Sequence, residues 1–354
     1  MTAYFLVYGW ICTASLLLYI KKIEYKKARN WFCILSFLAV FLLLACRHPT
    51  VGYDLRYGNP EGYLGRFQRI SGFTWQQALT VPVGMYERGF IIFCKLLSVF
   101  SNNSQFFIAG CAAASLIPIW YLVYKQSKHP ELSVYIFMGL PCFELLFSSL
   151  RQTVAVGLCA LALLWIIRKK PVSFLLTVAL AVTLHKSTAV FFVAYPVYHL
   201  KLNKPLRWCS CAVPILVYIF RQPLFALAGK FYPYYAVPDY NGSYRLFLVF
   251  YLVYLFCCIF SDEQEELCGL KNLFLGACCV QALAGMHSIV MRLGYCFTVP
   301  LILLLPLVVD TMPNKKLAGC CKAAISVCFV AAGMYFLRTA TWSCIYPYSA
   351  FWAR

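Results

Sequence analysis

Charged residues are scarce in this sequence, and acidic ones are the scarcest. Only 12% of the 354 residues are charged and 62% are hydrophobic, whereas about a quarter of an ordinary soluble domain is charged. A chain with so few charges cannot cover its apolar surface well enough to remain a water-soluble globule. The composition therefore excludes a soluble fold and predicts an integral membrane protein.

The sequence also lacks the in-and-out alternation of polar and apolar residues that a membrane-spanning strand needs. Its apolar residues instead form continuous runs of about 16 to 22, near the roughly 20 with which a helix crosses the hydrocarbon layer. No basic residue precedes the first run, residues 4–20, and a basic cluster follows it, which is the reverse of a cleavable secretory signal. We therefore expect an all-α polytopic membrane protein whose first helix is retained and ends in the cytoplasm.

Cysteine is plentiful, but the spacings that would give it a chemical role are missing. The chain has 19 cysteines and no C-x-x-C pair, and most cysteines lie inside apolar runs, where Cys packs as a small apolar residue. The adjacent pairs have no metal-ligand spacing. We therefore expect no metal and no cofactor. The net charge of +19 is spread among the loops, so we expect no nucleic-acid partner.

The positions of Lys and Arg test any helix count, because successive crossings must alternate in direction. If the amphipathic stretch Arg88–Phe100 crossed the membrane, the basic loops at Lys125 and Arg168 would lie outside, against the positive-inside rule. We therefore place this stretch in the interface, or as a segment that dips in and returns. About twelve crossings then result, with both termini outside. Residues 1–354 form a single polytopic domain, in which residues 47–104 are an extracytoplasmic loop with an amphipathic helix. The predicted crossings are approximately residues 3–20, 31–46, 105–124, 132–149, 152–167, 171–184, 187–199, 208–220, 244–260, 271–286, 293–309 and 318–337.

Lys and Arg divide between the two sides in this topology. The cytoplasmic loops hold mainly Lys and the external side mainly Arg, whose planar guanidinium can bind phosphate or carboxylate through paired hydrogen bonds. The external face is therefore expected to hold an anion. Arg151 and Arg292 abut long apolar runs, where a charge is costly and usually functional. Other external arginines are read as interfacial anchors, namely Arg56, Arg66, Arg69, Arg338 and Arg354.

A long polar segment, residues 47–86, follows the second crossing and contains Arg47, Asp54 and Tyr57. Aromatic rings beside Arg, Asp and Gln suit a sugar-binding surface. They equally suit an interfacial aromatic belt, and the sequence leaves both interpretations open. Glu87 follows at the start of the amphipathic stretch, where the helix macrodipole alone would favour a carboxylate.

Three further polar positions interrupt the apolar runs on the external side. Arg151 and Gln152 open the fifth crossing, and a positive charge at a helix N-terminus is unfavourable unless an anion lies beside it. His185 separates two runs, where a neutral imidazole can accept a proton from a sugar hydroxyl or simply cap the helix. Arg292, with Tyr295 one turn later, supplies a second guanidinium. Two external arginines could divide a diphosphate between them.

These positions form five short motifs in a fixed order. An external Arg is followed by Gly-x-Asp and Tyr, then by Glu-x-Gly-Phe, Leu-Arg-Gln, His-Lys-Ser and Arg-x-x-Tyr. The residues are Arg47, Gly52, Asp54, Tyr57, Glu87, Gly89, Phe90, Leu150, Arg151, Gln152, His185, Lys186, Ser187, Arg292 and Tyr295. In this order and spacing they resemble the EpsG-like family of Wzy-type polymerases. The sequence departs from the family pattern at Tyr53, Arg88 and Thr188, which bears on the acceptor sugar more than on the reaction class.

The resemblance implies a polymerase of exopolysaccharide, capsule or O-antigen. Such an enzyme transfers a chain en bloc from undecaprenyl diphosphate to another lipid-linked oligosaccharide repeat unit, at the outer face of the bacterial inner membrane. The implied partners are this lipid-linked substrate, membrane lipid, a flippase and a chain-length regulator. An O-antigen ligase, or a glycosyltransferase that uses a polyprenyl-phosphate sugar, would share the same anion site. A flippase or transporter for the same lipid is a rival from another class.

The residues suit this chemistry in separate roles. The leaving diphosphate needs fixed cations, for which we expect Arg151, Arg292 and Arg47. The attacking hydroxyl needs a base, for which His185 is the first choice and Asp54 or Glu87 the second. Contacts to sugar, or support of the charged groups, are expected from Gln152, Tyr57 and Tyr295. The external side carries no paired acidic motif, so a metal-independent reaction is expected.

Overall fold

The computed structural model describes residues 1–55, 58–231, 244–261, 264–339 and 343–352, with the backbone alone at positions 231, 288 and 289. In this part of the chain every regular element is helical, and extended pairing is limited to one isolated bridge between Arg47 and Ala350. The predicted all-α membrane fold is confirmed. The α-helices are α1 (Thr2–Ser15), α2 (Tyr25–Ala45), α3 (Tyr63–Ser71), α4 (Trp75–Thr80), α5 (Arg88–Phe100), α6 (Ser104–Gln126), α7 (Pro130–Gly139), α8 (Pro141–Leu145), α9 (Leu150–Ile167), α10 (Pro171–Leu184), α11 (Ala194–His199), α12 (Lys204–Ser210), α13 (Ala212–Ile219), α14 (Arg221–Phe231), α15 (Arg245–Ile259), α16 (Glu265–Leu283), α17 (Ser288–Thr298), α18 (Leu301–Thr311) and α19 (Lys315–Thr339).

Seven helical segments among the described residues are long and apolar enough to cross a membrane. An eighth results if α12–α13 and α14, which meet at a bend of 72°, are taken as one broken span. The predicted number of about twelve is therefore not confirmed. The seven are Thr2–Tyr19, Tyr25–Ala45, Ser104–Gln126, Leu150–Ile167, Glu265–Leu283, Val290–Thr311 and Lys315–Thr339.

The other predicted crossings are short or broken helices. The run 132–149 is interrupted at Leu140, in front of Pro141, because a residue before proline is driven out of the helical region. The run 187–199 begins as a 3-10 helix, Lys186–Val193, and continues as α11. Helices α10 and α15 have 14 and 15 residues, fewer than the roughly 20 of a full crossing.

The amphipathic helix α5 has the bounds predicted for it, and both of its ends lie at one end of the helix bundle. At 13 residues it is about 20 Å long, shorter than the hydrocarbon layer. Its N-cap, Glu87, pairs with Arg151 at the start of α9. Just beyond its C-terminus, Gln105 donates to the carbonyl oxygens of Ala45 and Arg47, where α2 ends. This geometry favours the interpretation that α5 does not cross.

Contacts between distant segments define two ends of the bundle. At one, here called the site end, Arg47 donates to the carbonyl of Leu146 and Glu87 meets Arg151. At the other, here called the opposite end, Arg29 of α2 donates to the carbonyl of Tyr124 in α6 at 2.5 Å. The start of α2 and the end of α6 therefore lie together, and the two helices run antiparallel.

Most of the cysteines are buried or half-buried, and five are exposed. All 19 are free thiols, and several are fully enclosed in the helix interfaces. Cys94, Cys111, Cys159, Cys257 and Cys278 have no exposed surface. Within the described residues, no three His, Cys, Asp or Glu side chains converge as metal ligands.

Candidate functional site

Glu87 connects three elements at the site end. It is the N-cap residue of α5, yet its side chain does not cap that helix. One carboxylate oxygen, Oε2, lies 2.5 Å from Nη1 of Arg151. The other, Oε1, accepts the backbone N–H of Lys186 at 3.1 Å and lies 3.6 Å from Nδ1 of His185. Three of the predicted site residues, Glu87, Arg151 and His185, are thus brought together, and we call them the Glu87 cluster.

Gly89 explains why a glycine follows Glu87 at this spacing. Helices α5 and α10 approach so closely that a Cβ at position 89 would lie 2.3 Å from Oγ1 of Thr183. Any side chain here would force the two helices apart. Because His185 directly follows α10, this approach is what carries Glu87 to His185. The Glu-x-Gly motif is therefore a packing requirement for the pairing.

Arg151 is held from several sides at the N-terminus of α9. Besides Glu87 it donates from Nη1 to the carbonyl of Met85 at 2.7 Å. Its Nε and its backbone N–H each lie 3.4 Å from the hydroxyl of Tyr63, and its guanidinium lies 4.8 Å from the ring centre of Tyr86. The anion expected beside this helix terminus is thus already present as the Glu87 carboxylate. A bound anionic ligand must share Arg151 with Glu87 or displace it.

His185 is neutral over the ordinary pH range. Burial lowers the pKa of its imidazole to about 4; the nearby cations Arg151 and Arg292 lower it further, and Glu87 opposes them. Its side chain is 12% exposed, and its Nδ1 is buried without a hydrogen bond. The ring is therefore in the form that can accept a proton, and the Glu87 carboxylate is placed to stabilise the imidazolium that would result.

Arg292 lies near the Glu87 cluster, and Gln152 connects it to α9. Nε2 of Gln152 donates to the backbone carbonyl of Arg292 at 2.8 Å, across α9 and α17. The side chain of Arg292 is exposed, and its charge reaches His185. Tyr295 is buried one turn later and lines, with Gln152, a cavity of about 10 Å³, close to the size of one water molecule. Gln152 and Tyr295 therefore lie in the protein interior next to the backbone of Arg292, and they do not form the exposed surface.

Asp54 approaches the same region from the polar segment. Its Oδ2 accepts a hydrogen bond from Oγ of Ser149 at 3.4 Å, in the turn before α9. Its charge also raises the pKa of Tyr63, although burial is the larger cause. Asp54 thus lies close to the start of α9, where Arg151 stands. Tyr57, predicted to contact sugar, lies outside the described residues.

Arg47 is placed differently from the other predicted cations. It is fully buried, donates to the carbonyl of Leu146 at 3.2 Å, and stacks 5.3 Å from the ring centre of Phe147. Burial lowers the pKa of its guanidinium to about 10. Its backbone forms the bridge to Ala350. The structure therefore gives Arg47 no surface from which to contact a ligand.

Sequence reasoning missed Tyr63, Tyr86 and Arg66, as well as two backbone groups. Tyr63 and Tyr86 stack with ring centres 5.6 Å apart, although 23 positions separate them in the chain. The abundance of Tyr in residues 47–86 was visible, but no spacing indicates which rings meet. The carbonyl of Met85 and the N–H of Lys186 carry no side-chain signal at all.

The comparisons with known proteins agree with the motifs. No curated protein and no solved structure matches the chain. The EpsG family model matches residues 30–350, a range that covers nearly the whole chain and contains the five motifs. The resemblance inferred from the motifs is thereby confirmed. The chain belongs to the EpsG family of Wzy-type polymerases, and this membership indicates a glycosyltransferase-type polysaccharide polymerase set in a membrane.

Proposed function

We propose that this protein joins oligosaccharide repeat units, each carried on undecaprenyl diphosphate, into a surface polysaccharide at the outer face of the bacterial inner membrane. The observation that carries the proposal is the convergence of Glu87, Arg151 and His185 at one end of a strongly apolar helix bundle. The exposed Arg292 lies within electrostatic reach of the same group. A proton acceptor next to two guanidiniums suits the attack of a hydroxyl on a sugar diphosphate.

The reaction is a displacement at the anomeric carbon of the donor chain. The acceptor hydroxyl oxygen forms the new glycosidic bond, while the bond between that carbon and the diphosphate oxygen breaks and leaves its electron pair on the diphosphate. The hydroxyl proton passes to His185, whose imidazolium is stabilised by Glu87 and then releases the proton to solvent. The growing chain is thus transferred en bloc to the next lipid-linked unit.

The bound diphosphate also adjusts the strength of the base. A pKa of about 4 makes free His185 a weak proton acceptor, and Arg151 and Arg292 contribute to that low value. An anionic diphosphate on these two arginines would offset their field, so the pKa of His185 rises when the donor is bound. The base is then strongest when a donor is present. Asp54 and Glu87 remain the second choices for this role.

The cations have different parts in this proposal. Arg292 receives the diphosphate first because its side chain is exposed, and Arg151 contributes once the ligand shares it with Glu87. Arg47 supports the turn at Leu146 from the protein interior, because its buried guanidinium donates to the carbonyl of Leu146. Gln152 and Tyr295 support the α17 backbone that carries Arg292. Contact of Tyr57 with sugar remains a prediction.

The distribution of Lys and Arg supports the proposed orientation. The basic loop of Lys21, Lys22, Lys26 and Lys27 adjoins Arg29 at the opposite end, and cytoplasmic loops carry the excess of basic residues. The site end then faces outward. A flippase that delivers the substrate and a regulator of chain length are the partners that this location requires.

Reconstitution tests the proposal. Detergent-purified protein is incubated with undecaprenyl-diphosphate-linked repeat units, and the products are separated by size. A ladder of chain lengths without any other enzyme is the expected result. Transfer only to a lipid A core acceptor would indicate a ligase. Addition of single sugars from a polyprenyl phosphate would indicate another glycosyltransferase, and translocation without new bonds would indicate a transporter.

A further inference from the structure

The loop that delivers Glu87 is held by three arginines from three helices. We call residues 81–87, between α4 and α5, the Glu87 loop. At its start, Arg88 donates to the carbonyls of Ala78, Thr80 and Val81. At its end, Arg151 binds the Met85 carbonyl and the Glu87 carboxylate. The middle of the loop meets Arg66 of α3, which was predicted to be an interfacial anchor.

Arg66 packs against the loop at Gly84 and Tyr86. Gly84 has a φ of +52°, and a Cβ there would lie 2.8 Å from Cζ of Arg66. The guanidinium of Arg66 lies 4.9 Å from the ring centre of Tyr86, and that of Arg151 lies 4.8 Å from the same centre. A tyrosine ring with two guanidiniums this close to its centre is attracted to both. Gly84 provides the space that this packing needs.

The environment of Arg66 differs from that of an interfacial anchor. Its side chain is 20% exposed and pairs at 2.9 Å with Glu61, which is 65% exposed. Its Nε is buried without a hydrogen bond. Arg69, one turn further along α3, is by contrast exposed. Arg66 is thus a cation packed beneath the loop, and its exposed partner Glu61 compensates its charge from outside.

We propose that Arg66 is a positioning residue of the proposed polymerase, which holds Gly84 and Tyr86 so that the Glu87 carboxylate reaches Arg151, His185 and the Lys186 N–H together. Tyr86 directly precedes Glu87, so a shift of this ring moves the carboxylate. A misplacement of about 1 Å in a reacting group can lower a rate by about a hundredfold. This inference rests on the proposed function for its effect on turnover, but its effect on geometry can be measured without turnover.

Kinetics of four variants give the first part of the test. Arg66→Gln should lower kcat about tenfold or more, with KM within about twofold of wild type, because the binding groups remain while the base loses its support. Arg66→Lys should recover part of kcat, since an ammonium still interacts with the Tyr86 ring but lacks the planar stack. Arg69→Gln is the matched control and should behave as wild type. Glu61→Gln leaves Arg66 in place without its ion partner, so it should lower kcat less than Arg66→Gln does.

Amide hydrogen exchange gives the second part, independent of activity. The Lys186 N–H is bonded to Oε1 of Glu87, whereas the Thr188 N–H is bonded to the carbonyl of His185. Arg66→Gln should speed exchange at Lys186 about tenfold, as should Glu87→Ala, which removes the acceptor, and both should leave Thr188 unchanged. Equal acceleration at both amides would mean general loosening of the fold and would overturn the proposal. The proposal would also be overturned if Arg66→Gln behaved like Arg69→Gln in both kcat and the exchange rate.

If wild-type protein forms no polymer, the proposed function fails, while the exchange rate at Lys186 still decides the role of Arg66.

Discussion

The two ends of the bundle contain similar sets of side chains in different states. The Glu87 cluster has a counterpart at the opposite end, where Glu131 in the first turn of α7 pairs with Lys322 of α19. Each cluster joins a buried carboxylate, a cation from a distant helix and a histidine. The opposite cluster has two further members. The hydroxyl of Tyr19 lies 3.2 Å from Oε1 of Glu131, and Oδ1 of Asp310 lies 3.5 Å from Nε2 of His129.

The clusters differ in how completely their polar atoms are paired. In the opposite cluster, Nζ of Lys322 contacts Tyr19 and His129 as well as Glu131. None of these four side chains, nor that of Asp310, has a buried polar atom without a hydrogen bond. At the site end, Nδ1 of His185, Oγ of Ser187 and Oε1 of Gln152 are buried without one. Since buried polar atoms are normally satisfied, exceptions call for an explanation.

This difference separates a structural cluster from a chemical one. An ionic group whose buried polar atoms are all paired fixes helices against each other. The Glu87 cluster retains one unpaired buried nitrogen, Nδ1 of His185, and the exposed Arg292 lies beside it. Residue type and charge alone would have ranked the two clusters equally, so pairing is the criterion that distinguishes them.

The largest expected effect follows from removing the base. His185→Ala should lower turnover about a thousandfold, because general-base catalysis commonly contributes a factor of 10² to 10⁴. Binding of the lipid-linked repeat should stay within about twofold of wild type, because the arginines that hold it remain. Polymer yield and equilibrium binding are measured on the same preparation. Retained turnover would assign the proton to Asp54 or Glu87.

The next effect concerns the geometry of the guanidinium. Arg151→Lys should lower kcat about a hundredfold while expression is kept. The charge remains, but an ammonium lacks the planar fork that binds a diphosphate through paired hydrogen bonds, and it also loses the contact of Nε with Tyr63. Ladder formation per folded molecule measures this. An unaltered polymer yield would remove Arg151 from the site and leave the two clusters indistinguishable.

A shift of the acid limb of the pH profile is the third expectation. Because the pKa of His185 is about 4 in the free protein, kcat/KM should be constant at neutral pH and fall as the pH drops through that value. Arg292 is one of the cations that lower this pKa, so Arg292→Gln should raise it and move the limb to higher pH. A limb that starts near 6.5 in the wild type, or does not move in the variant, would contradict this account of the histidine.

The smallest effect on activity is expected at the opposite end. Glu131→Gln should leave kcat per folded molecule unchanged within about twofold, but lower the stability by about 2 kcal/mol, because Lys322 loses its buried anion. A thermal melting scan in detergent and the polymerisation assay provide the two readouts. A large loss of kcat without a change in the melting temperature would remove the distinction between the clusters.

The fold was predictable from the sequence where local patterns decide it. The amphipathic pattern of residues 88–100 indicates α5 with the bounds that the structure gives. The number of spanning helices was not predictable, because continuous apolar runs conceal breaks such as the one at Leu140. An apolar run indicates that a segment is buried in lipid or in protein, but it does not indicate where the backbone turns.

The site was predictable in its members more than in its pairings. Arg151, His185 and Glu87 stand out because polar residues interrupt apolar runs or begin helices. That Glu87 would itself be the anion at Arg151 depends on tertiary contact across 64 positions, which no local pattern indicates. The burial of Arg47 and the packing of Arg66 beneath Tyr86 arise in the same way from segments distant in sequence.

The proposed function requires that an anionic lipid diphosphate bind at the Glu87 cluster and its neighbour Arg292, and a titration can measure this binding. Undecaprenyl diphosphate is titrated against purified wild-type protein, Arg292→Gln and Glu131→Gln at constant ionic strength. Arg292→Gln should weaken binding about tenfold, whereas Glu131→Gln should leave it within about twofold of wild type. Binding that is unchanged in Arg292→Gln, or weakened only in Glu131→Gln, would contradict the proposed function.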